Sequence, residues 1–317
     1  MKNQYAIGID MGGTNTVFGI VDNDGHVLSK GSIKTGTHAD INLYIDELYT
    51  ELSKLIDTVG KENIKGIGVG APNGNYYTGD ILYAPNLPWK GEIHFAQLMT
   101  EKFGIPTALT NDANAAAVGE MTYGAARGMK DFIMITLGTG VGSGIVINGK
   151  VVYGHDGFAG ELGHVIAVRE GGRTCGCGRK GCLEAYASAT GVARSAQEIM
   201  KATTKPSLLH NTPLDKITSK DVFDAAMSGD EVAKKIFNYT GKILGECFAD
   251  FVTFSAPEAI ILFGGLSKAG DLILNPIVEH MEKNMLDIWK GKVKVLFSDL
   301  KEADAAVLGA SALAWEM

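Results

Sequence analysis

Cysteine is scarce in this 317-residue chain: there are four, and three of them are crowded into Cys175-Gly-Cys177-Gly-Arg-Lys-Gly-Cys182. Paired as disulfides they would need an oxidising compartment, and nothing points to one. The opening Met1-Lys-Asn-Gln-Tyr-Ala-Ile-Gly-Ile-Asp10 meets an acid after a short apolar run, which is not the form of a signal peptide. No segment approaches the ~18 apolar residues of a membrane span. Basic runs are missing too, and 29 Lys and Arg against 36 Asp and Glu leave a net charge of −7. Non-specific binding to nucleic acid or to a membrane surface is therefore not expected, and the expected location is the cytoplasm. Proline is sparse, at 8, while glycine is abundant, at 41. Neither a linker nor a low-complexity segment is evident, so two tightly joined domains are expected for this length.

The clustered cysteines have a histidine upstream, His164 in Glu161-Leu-Gly-His164. Together His164, Cys175, Cys177 and Cys182 supply one imidazole and three thiolates, the ligand set of a closed tetrahedral structural zinc site. Intervening glycines allow the tight turns that aim three sulfurs at one point. Two carboxylates, Glu161 and Glu184, bracket the cluster. A plain zinc knuckle has no need of them, so the metal is expected to hold something else in place. The fourth cysteine, Cys247, falls on a helical apolar stripe and reads as a small buried hydrophobe.

Both halves of the chain open alike. Tyr5 to Asp10, Val17 to Val21 and Val27-Leu28 read as a three-stranded meander, with Asn23-Asp-Gly25 as a hairpin turn. Phe132 to Leu137, Ile145 to Ile147 and Val151 to Tyr153 repeat the pattern, which points to a structural duplication. Apolar residues from Ile41 to Val59 at spacings of three and four predict a long amphipathic helix. Strands are expected at Lys65–Ala71, Thr107–Thr110 and Ala259–Phe263. Further helices are expected over 92–103, from Asn111 onward, near 184–202, 219–228 and 230–254, and over 303–315.

In each half the first turn of the meander is glycine-rich. Asp10-Met-Gly12-Gly13-Thr14-Asn15 and Gly138-Thr139-Gly140-Val-Gly-Ser-Gly144 offer successive backbone N–H groups, concavities suited to phosphate oxygens. Strands rather than a helix follow each, so neither is a dinucleotide fingerprint, and neither ends in the Gly-Lys-Ser/Thr of a Walker loop. Gly264-Gly265 offers a third close approach, under a purine ring. Asp112 sits between a strand and an alanine-rich helix: it is either a helix N-cap or a general base for a hydroxyl. Asp10 is either a solvated acid at a strand end or the holder of a hydrated Mg2+.

Taken in order, Asp-x-Gly-Gly-Thr-Asn at 10–15, Asn-Asp-Ala-Asn-Ala-Ala at 111–116, Leu-Gly-Thr-Gly-x-Gly-x-Gly at 137–144, Glu-x-Gly-His at 161–164, Cys-x-Cys-Gly-x-x-Gly-Cys-x-Glu at 175–184 and Gly-Gly at 264–265 resemble the ROK family. That family groups bacterial sugar kinases with transcriptional repressors, and the likeness runs from residue 5 to the C-terminal helix. One departure is Ser143, where the family usually has an apolar or small aliphatic residue; a backbone phosphate site should not feel it.

The resemblance implies an α/β protein of actin/hexokinase-like ATPase fold, two ribonuclease-H-like domains around a cleft. The smaller would span 1–111, completed by the helix 303–317; the larger would span 112–302 and carry the zinc segment. ATP would place its phosphates at Gly12, Gly13, Thr14, Asn15, Gly138, Thr139 and Gly140, and its adenosine near Gly264 and Gly265, with Asp10 serving Mg2+. Asp112 would be the base, and Asn86, Asn111, Asp112, Glu161, His164 and Glu184 would hold the sugar. Zinc would be bound by His164, Cys175, Cys177 and Cys182. The implied reaction is ATP-dependent phosphorylation of a hexose at the 6-hydroxyl, with glucose first and fructose, mannose or N-acetylmannosamine as alternatives. A homodimer or homotetramer is implied as well. The family's repressors carry an N-terminal winged helix. Here the first phosphate strand starts at Tyr5 and no basic patch is evident, so a sugar-sensing repressor or a silent sugar binder is the lesser expectation.

Overall fold

The computed structural model describes residues 4–317. The described residues divide into two compact units, one made of residues 4–130, Gly144–Gly160 and Ser298–Met317, the other of Asp131–Ser143 and Glu161–Phe297. Strands β1 (Tyr5–Met11), β2 (Asn15–Asp22) and β3 (Val27–Lys34) form the expected antiparallel meander. Helix α1 (Ile41–Val59) follows, its N-terminus capped by the Asp40 carboxylate accepting from the Asn42 N–H. The chain then returns as β4 (Ile64–Gly70), parallel to β1.

A small ribbon of β5 (Ile81–Leu82) and β6 (Glu92–Ile93) precedes α2 (Phe95–Phe103). The helix expected from residue 92 thus starts later, because Glu92 and Ile93 pair with the Ile81–Leu82 strand instead. β7 (Thr107–Thr110) completes the sheet in the order β3-β2-β1-β4-β7 and runs into α3 (Asp112–Tyr123). On one face α1 and α2 bury Tyr44, Leu48, Leu52, Phe95 and Met99 against Ile7, Ile9, Ile67 and Val69 of the strands.

The second sheet repeats this order. β8 (Phe132–Leu137), β9 (Val141–Ile147) and β10 (Lys150–Val151) form the meander, and β11 (Ala259–Phe263) and β12 (Lys294–Phe297) run parallel beside β8, giving β10-β9-β8-β11-β12. The duplication read from the sequence is therefore present strand for strand. The helical stretch expected over 184–202 is two helices, α4 (Glu184–Ala187) and α5 (Ala189–Ala202), parted at the extended Ser188 whose hydroxyl caps α5. α6 (Ser219–Met227) and α7 (Glu231–Ser255) fall where periodicity put them. α8 (Asp271–Asn284) carries Pro276 inside it, which masks a helix in sequence.

The C-terminal helix α9 (Glu302–Trp315) packs on β1, β4 and α3 in the first unit. Its backbone lies directly on the sheet: a Cβ on Gly8 would run into the Val307 carbonyl, and one on Gly68 into that of Ala310. The first unit runs through α3, which lies along α9, to Lys130.

Candidate functional site

The first glycine turn is held from beneath by a buried polar chain. The Tyr44 hydroxyl lies 2.6 Å from Thr16 Oγ1, which lies 3.0 Å from Thr35 Oγ1, and Thr35 donates to the Gly12 carbonyl at 2.7 Å. Gly12 N–H closes the turn on Asn15 O at 3.0 Å, and Thr35 N–H donates to Thr14 O at 3.1 Å. Among the described residues none accepts a hydrogen bond from the Gly13 or Thr14 N–H, and both residues are exposed. Asn86 stands next to this turn; a Cβ on Gly13 would come within 2.8 Å of its carbonyl oxygen. Its loop is anchored by buried Leu87 and Trp89, whose indole N–H donates to His38 O at 3.2 Å, while Asn86 itself is exposed.

Asp112 opens α3, but the cap is its neighbour: Asn111 Oδ1 accepts from the Asn114 N–H at 2.7 Å. Asp112 is the first helical residue, and its Oδ1 accepts from the Ala113 N–H at 2.9 Å. The carboxylate is reachable by solvent yet crowded by protein. Lost hydration raises its pKa above the ordinary carboxylate value, against the pull of the Ala113 and Asp112 N–H groups. Asp10, at the end of β1, is pushed from 3.8 to about 6, first by burial and then by the charge of Asp112. The base candidate and the Mg2+ candidate are thus electrostatic neighbours.

In the second unit the other glycine turn is fixed by side chains and by a helix start. Gly138 N–H donates to Gly140 O at 3.0 Å, Gly142 N–H to Thr136 Oγ1 at 3.1 Å, and Val141 N–H to Glu184 Oε2 at 3.0 Å. From the start of α5, Ala189 N–H reaches Gly138 O at 2.8 Å and Thr190 Oγ1 reaches Thr139 O at 3.2 Å. No described residue accepts from the N–H of Thr139 or Gly140. Gly264 has φ +103°, and a Cβ there would lie 2.7 Å from Leu137 O, so only glycine lets β11 leave the sheet at this point.

Gly138, Thr139 and Gly265 share one cavity of about 510 Å3 with apolar walls from Leu137, Phe223, Phe237 and Leu266. The Lys220–Asp224 ion pair, 2.5 Å long, lies on its lining. Phe223, Phe237 and Leu266 escape sequence reading because they come from three separate elements and carry no shared spacing.

The metal candidates converge as expected. Thr174 and Lys180 bridge across a small hairpin, Ile166 bridges to Cys182, and Gly178 and Gly181 turn the chain at φ +85° and +82°. Cys177 Sγ and Cys182 Sγ are 3.7 Å apart, and Cys175 Sγ is 3.8 Å from His164 Nδ1. All four donor atoms lie within 4.8 Å of one another. A tetrahedral ion with sulfur at about 2.3 Å would set neighbouring donors roughly 3.7 Å apart, so the residues fit such an ion. Four protein donors would leave such an ion no open position, as in a structural rather than a catalytic site.

Both bracketing carboxylates belong to this region. Glu184 touches the metal set and the glycine turn at once: Cys175 Sγ lies 3.5 Å from its Oε1 while its Oε2 accepts from the Val141 N–H. Glu161 is exposed, and its carbonyl accepts from the His164 N–H at 3.0 Å. Ser143, the departure in the glycine motif, is buried, and its Oγ accepts from the Leu162 N–H at 3.0 Å. The extra hydroxyl therefore ties β9 to the turn that carries Glu161 and His164. Cys247 is buried and its thiol is pushed up to about 12 by lost hydration, as suits a packing residue.

Two sheets of like order, each opening in a glycine turn, define an ATPase of the actin/hexokinase-like fold. The ROK family model matches residues 6–317, and the chain belongs to the ROK family. A glucokinase of Halalkalibacterium halodurans is 38% identical over 89% of this chain and 86% of its own length. One of Thermotoga maritima is 34% identical over 99% of this chain and 98% of its own. Among solved structures, a ROK glucokinase from Streptomyces griseus in complex with glucose and AMPPNP has a TM-score of 0.79 and 34% identity, covering 99% of this chain and 100% of that one.

Proposed function

We propose that the protein transfers the γ-phosphoryl group of ATP to the 6-hydroxyl of a hexose, glucose in the first place. The observation that carries this reading is Asp112, a carboxylate relieved of capping duty by Asn111 and raised in pKa toward the range where a general base works well. The glucokinases similar over nearly the whole chain, one of them bound to glucose and an ATP analogue, support the same substrate pair.

Phosphoryl transfer asks a protein mainly for positioning and charge stabilisation. The N–H groups of Gly13, Thr14, Thr139 and Gly140 take phosphate oxygens, and the apolar cavity behind Gly138 and Gly265 takes the adenosine. Asp10 would hold the nucleotide's Mg2+, which would neutralise charge on the phosphates. Asn86, Asn111, Glu161, His164 and Glu184 take the remaining sugar hydroxyls. Asp112 accepts the proton of the 6-hydroxyl as that oxygen bonds to the γ-phosphorus. The bond to the bridging oxygen breaks, and ADP keeps the electron pair.

Zinc is the metal best suited to His164, Cys175, Cys177 and Cys182, given three thiolates and a tetrahedral donor spacing. Bound there it would fix the loop between His164 and Glu184. Clustered thiols stay reduced and free to bind metal in the cytosol, which accords with a cytoplasmic enzyme.

The test is ADP release with MgATP and a panel of hexoses and N-acetylhexosamines. Turnover with glucose at the highest kcat/KM supports the proposal. Turnover confined to another sugar replaces glucose, and measurable sugar binding with no turnover on any member would overturn the kinase reading in favour of a sensor.

A further inference from the structure

We propose that Arg173 is the positioning residue that locks the metal-binding loop, Glu184 and the second glycine turn into one rigid block. The proposal rests on the hexose-kinase reading for its functional meaning, but its geometry stands apart from it. Arg173 lies two residues before Cys175, and its side chain is 7% exposed. A guanidinium has five N–H donors, and all five are used. Nε donates to Glu198 Oε1 at 3.0 Å, and Nη2 donates to Glu198 Oε2 at 2.6 Å and to Ser195 Oγ at 3.0 Å. Nη1 donates to the carbonyls of Ala185 at 3.0 Å and Gly191 at 3.2 Å. The guanidinium carbon also lies 4.4 Å from the Tyr186 ring centre, and the Tyr186 hydroxyl accepts the Arg173 backbone N–H at 2.8 Å.

What these bonds grip is the joint between α4 and α5. Ala185 follows Glu184 and Gly191 lies just past the break at Ser188, so one planar cation spans the discontinuity from both sides. Both sides of that joint hold the glycine turn: Ala189 and Thr190 bond to the carbonyls of Gly138 and Thr139, and Glu184 accepts from the Val141 N–H. The Arg173 carbonyl in turn accepts from Gly181 N–H at 2.9 Å, inside the cysteine loop. Glu198 balances the charge, so the buried cation is not left unpaired. A lysine would supply a point charge with three donors and no planar fork, too few for the five acceptor atoms that Arg173 holds.

The test compares the zinc-loaded wild type with Arg173→Lys and Glu198→Gln. Readouts are hexose Kd by calorimetry, the rate at which a chelator extracts the metal, kcat and thermal unfolding. For Arg173→Lys we expect hexose Kd and the extraction rate each to rise about tenfold, with kcat within roughly threefold of wild type. Glu198→Gln should move both in the same direction by less, and the double variant should be no worse than Arg173→Lys alone. A lowered melting temperature with wild-type Kd and extraction rate would make Arg173 a packing residue and overturn the proposal. Should Arg173→Lys not fold, Glu198→Gln decides by the same criterion. A wild type that neither binds nor phosphorylates a hexose sinks the kinase reading, while metal extraction, which needs no substrate, still judges Arg173.

Discussion

Asp10 and Asp112 flank the same glycine: a Cβ on Gly70 would lie 3.6 Å from Asp112 Cα and 3.9 Å from Asp10 Oδ1. Burial and then the charge of Asp112 lift Asp10 from 3.8 to about 6. A carboxyl with a folded pKa above its unfolded one favours the folded state at low pH and loses that contribution as pH rises through the folded value. Between about pH 4 and pH 6 the apo protein should therefore lose stability from this group, by about 3 kcal/mol at most. Asp10→Asn removes the titration, so thermal unfolding across that window should flatten. An unchanged pH dependence in the variant would show that Asp10 is not so perturbed.

Asp112→Asn tests the base. Because Asn111 caps α3, the substitution should leave the helix and the hexose affinity nearly intact while kcat drops by about 10²–10⁴. In the wild type the raised pKa of Asp112 moves the acid limb of kcat/KM to higher pH than an unperturbed aspartate would give. Turnover close to wild type in the variant would remove Asp112 from the chemistry.

Cys177 is the exposed member of the cysteine set, so Cys177→Ser should empty the metal site without opening a cavity. Elemental analysis should show metal content falling from one equivalent toward zero. Hexose affinity should weaken by about tenfold, because Glu184 and the Glu161–His164 turn lose their common anchor. Full hexose affinity in the metal-free variant would make the centre purely architectural.

Sequence and structure agree most where one local signal sufficed. The period of apolar residues marks α1, and duplicated glycine turns mark the two sheets. Cysteine spacing marks the metal loop because a four-ligand site leaves a compact imprint. In sequence Asp112 reads equally as helix N-cap or base; the structure gives the cap to Asn111, since either side chain can accept a helical N–H and backbone angles decide which does. α8 hid behind Pro276, and β12 is only four residues long. Arg173 reads in sequence as one more loop charge. Its burial exists only because α5 folds back to offer Ser195 and Glu198.

Ser143 bonds β9 to the turn that carries Glu161 and His164. Its Oγ is the acceptor for the Leu162 N–H at 3.0 Å, and the residue is 3% exposed. Ser143→Ala would leave that N–H without this partner, a loss of roughly 1–3 kcal/mol where no water replaces it. The strain falls on the turn that carries Glu161 and His164, not on the backbone groups of Thr139 and Gly140. Hexose KM should therefore rise while KM for MgATP stays within about twofold, and Ser143→Thr, which keeps the hydroxyl, should recover part of the loss. Equal rises in both constants would mean that the substitution loosens β9 as a whole, and the hydroxyl would then serve the strand rather than the sugar-side turn.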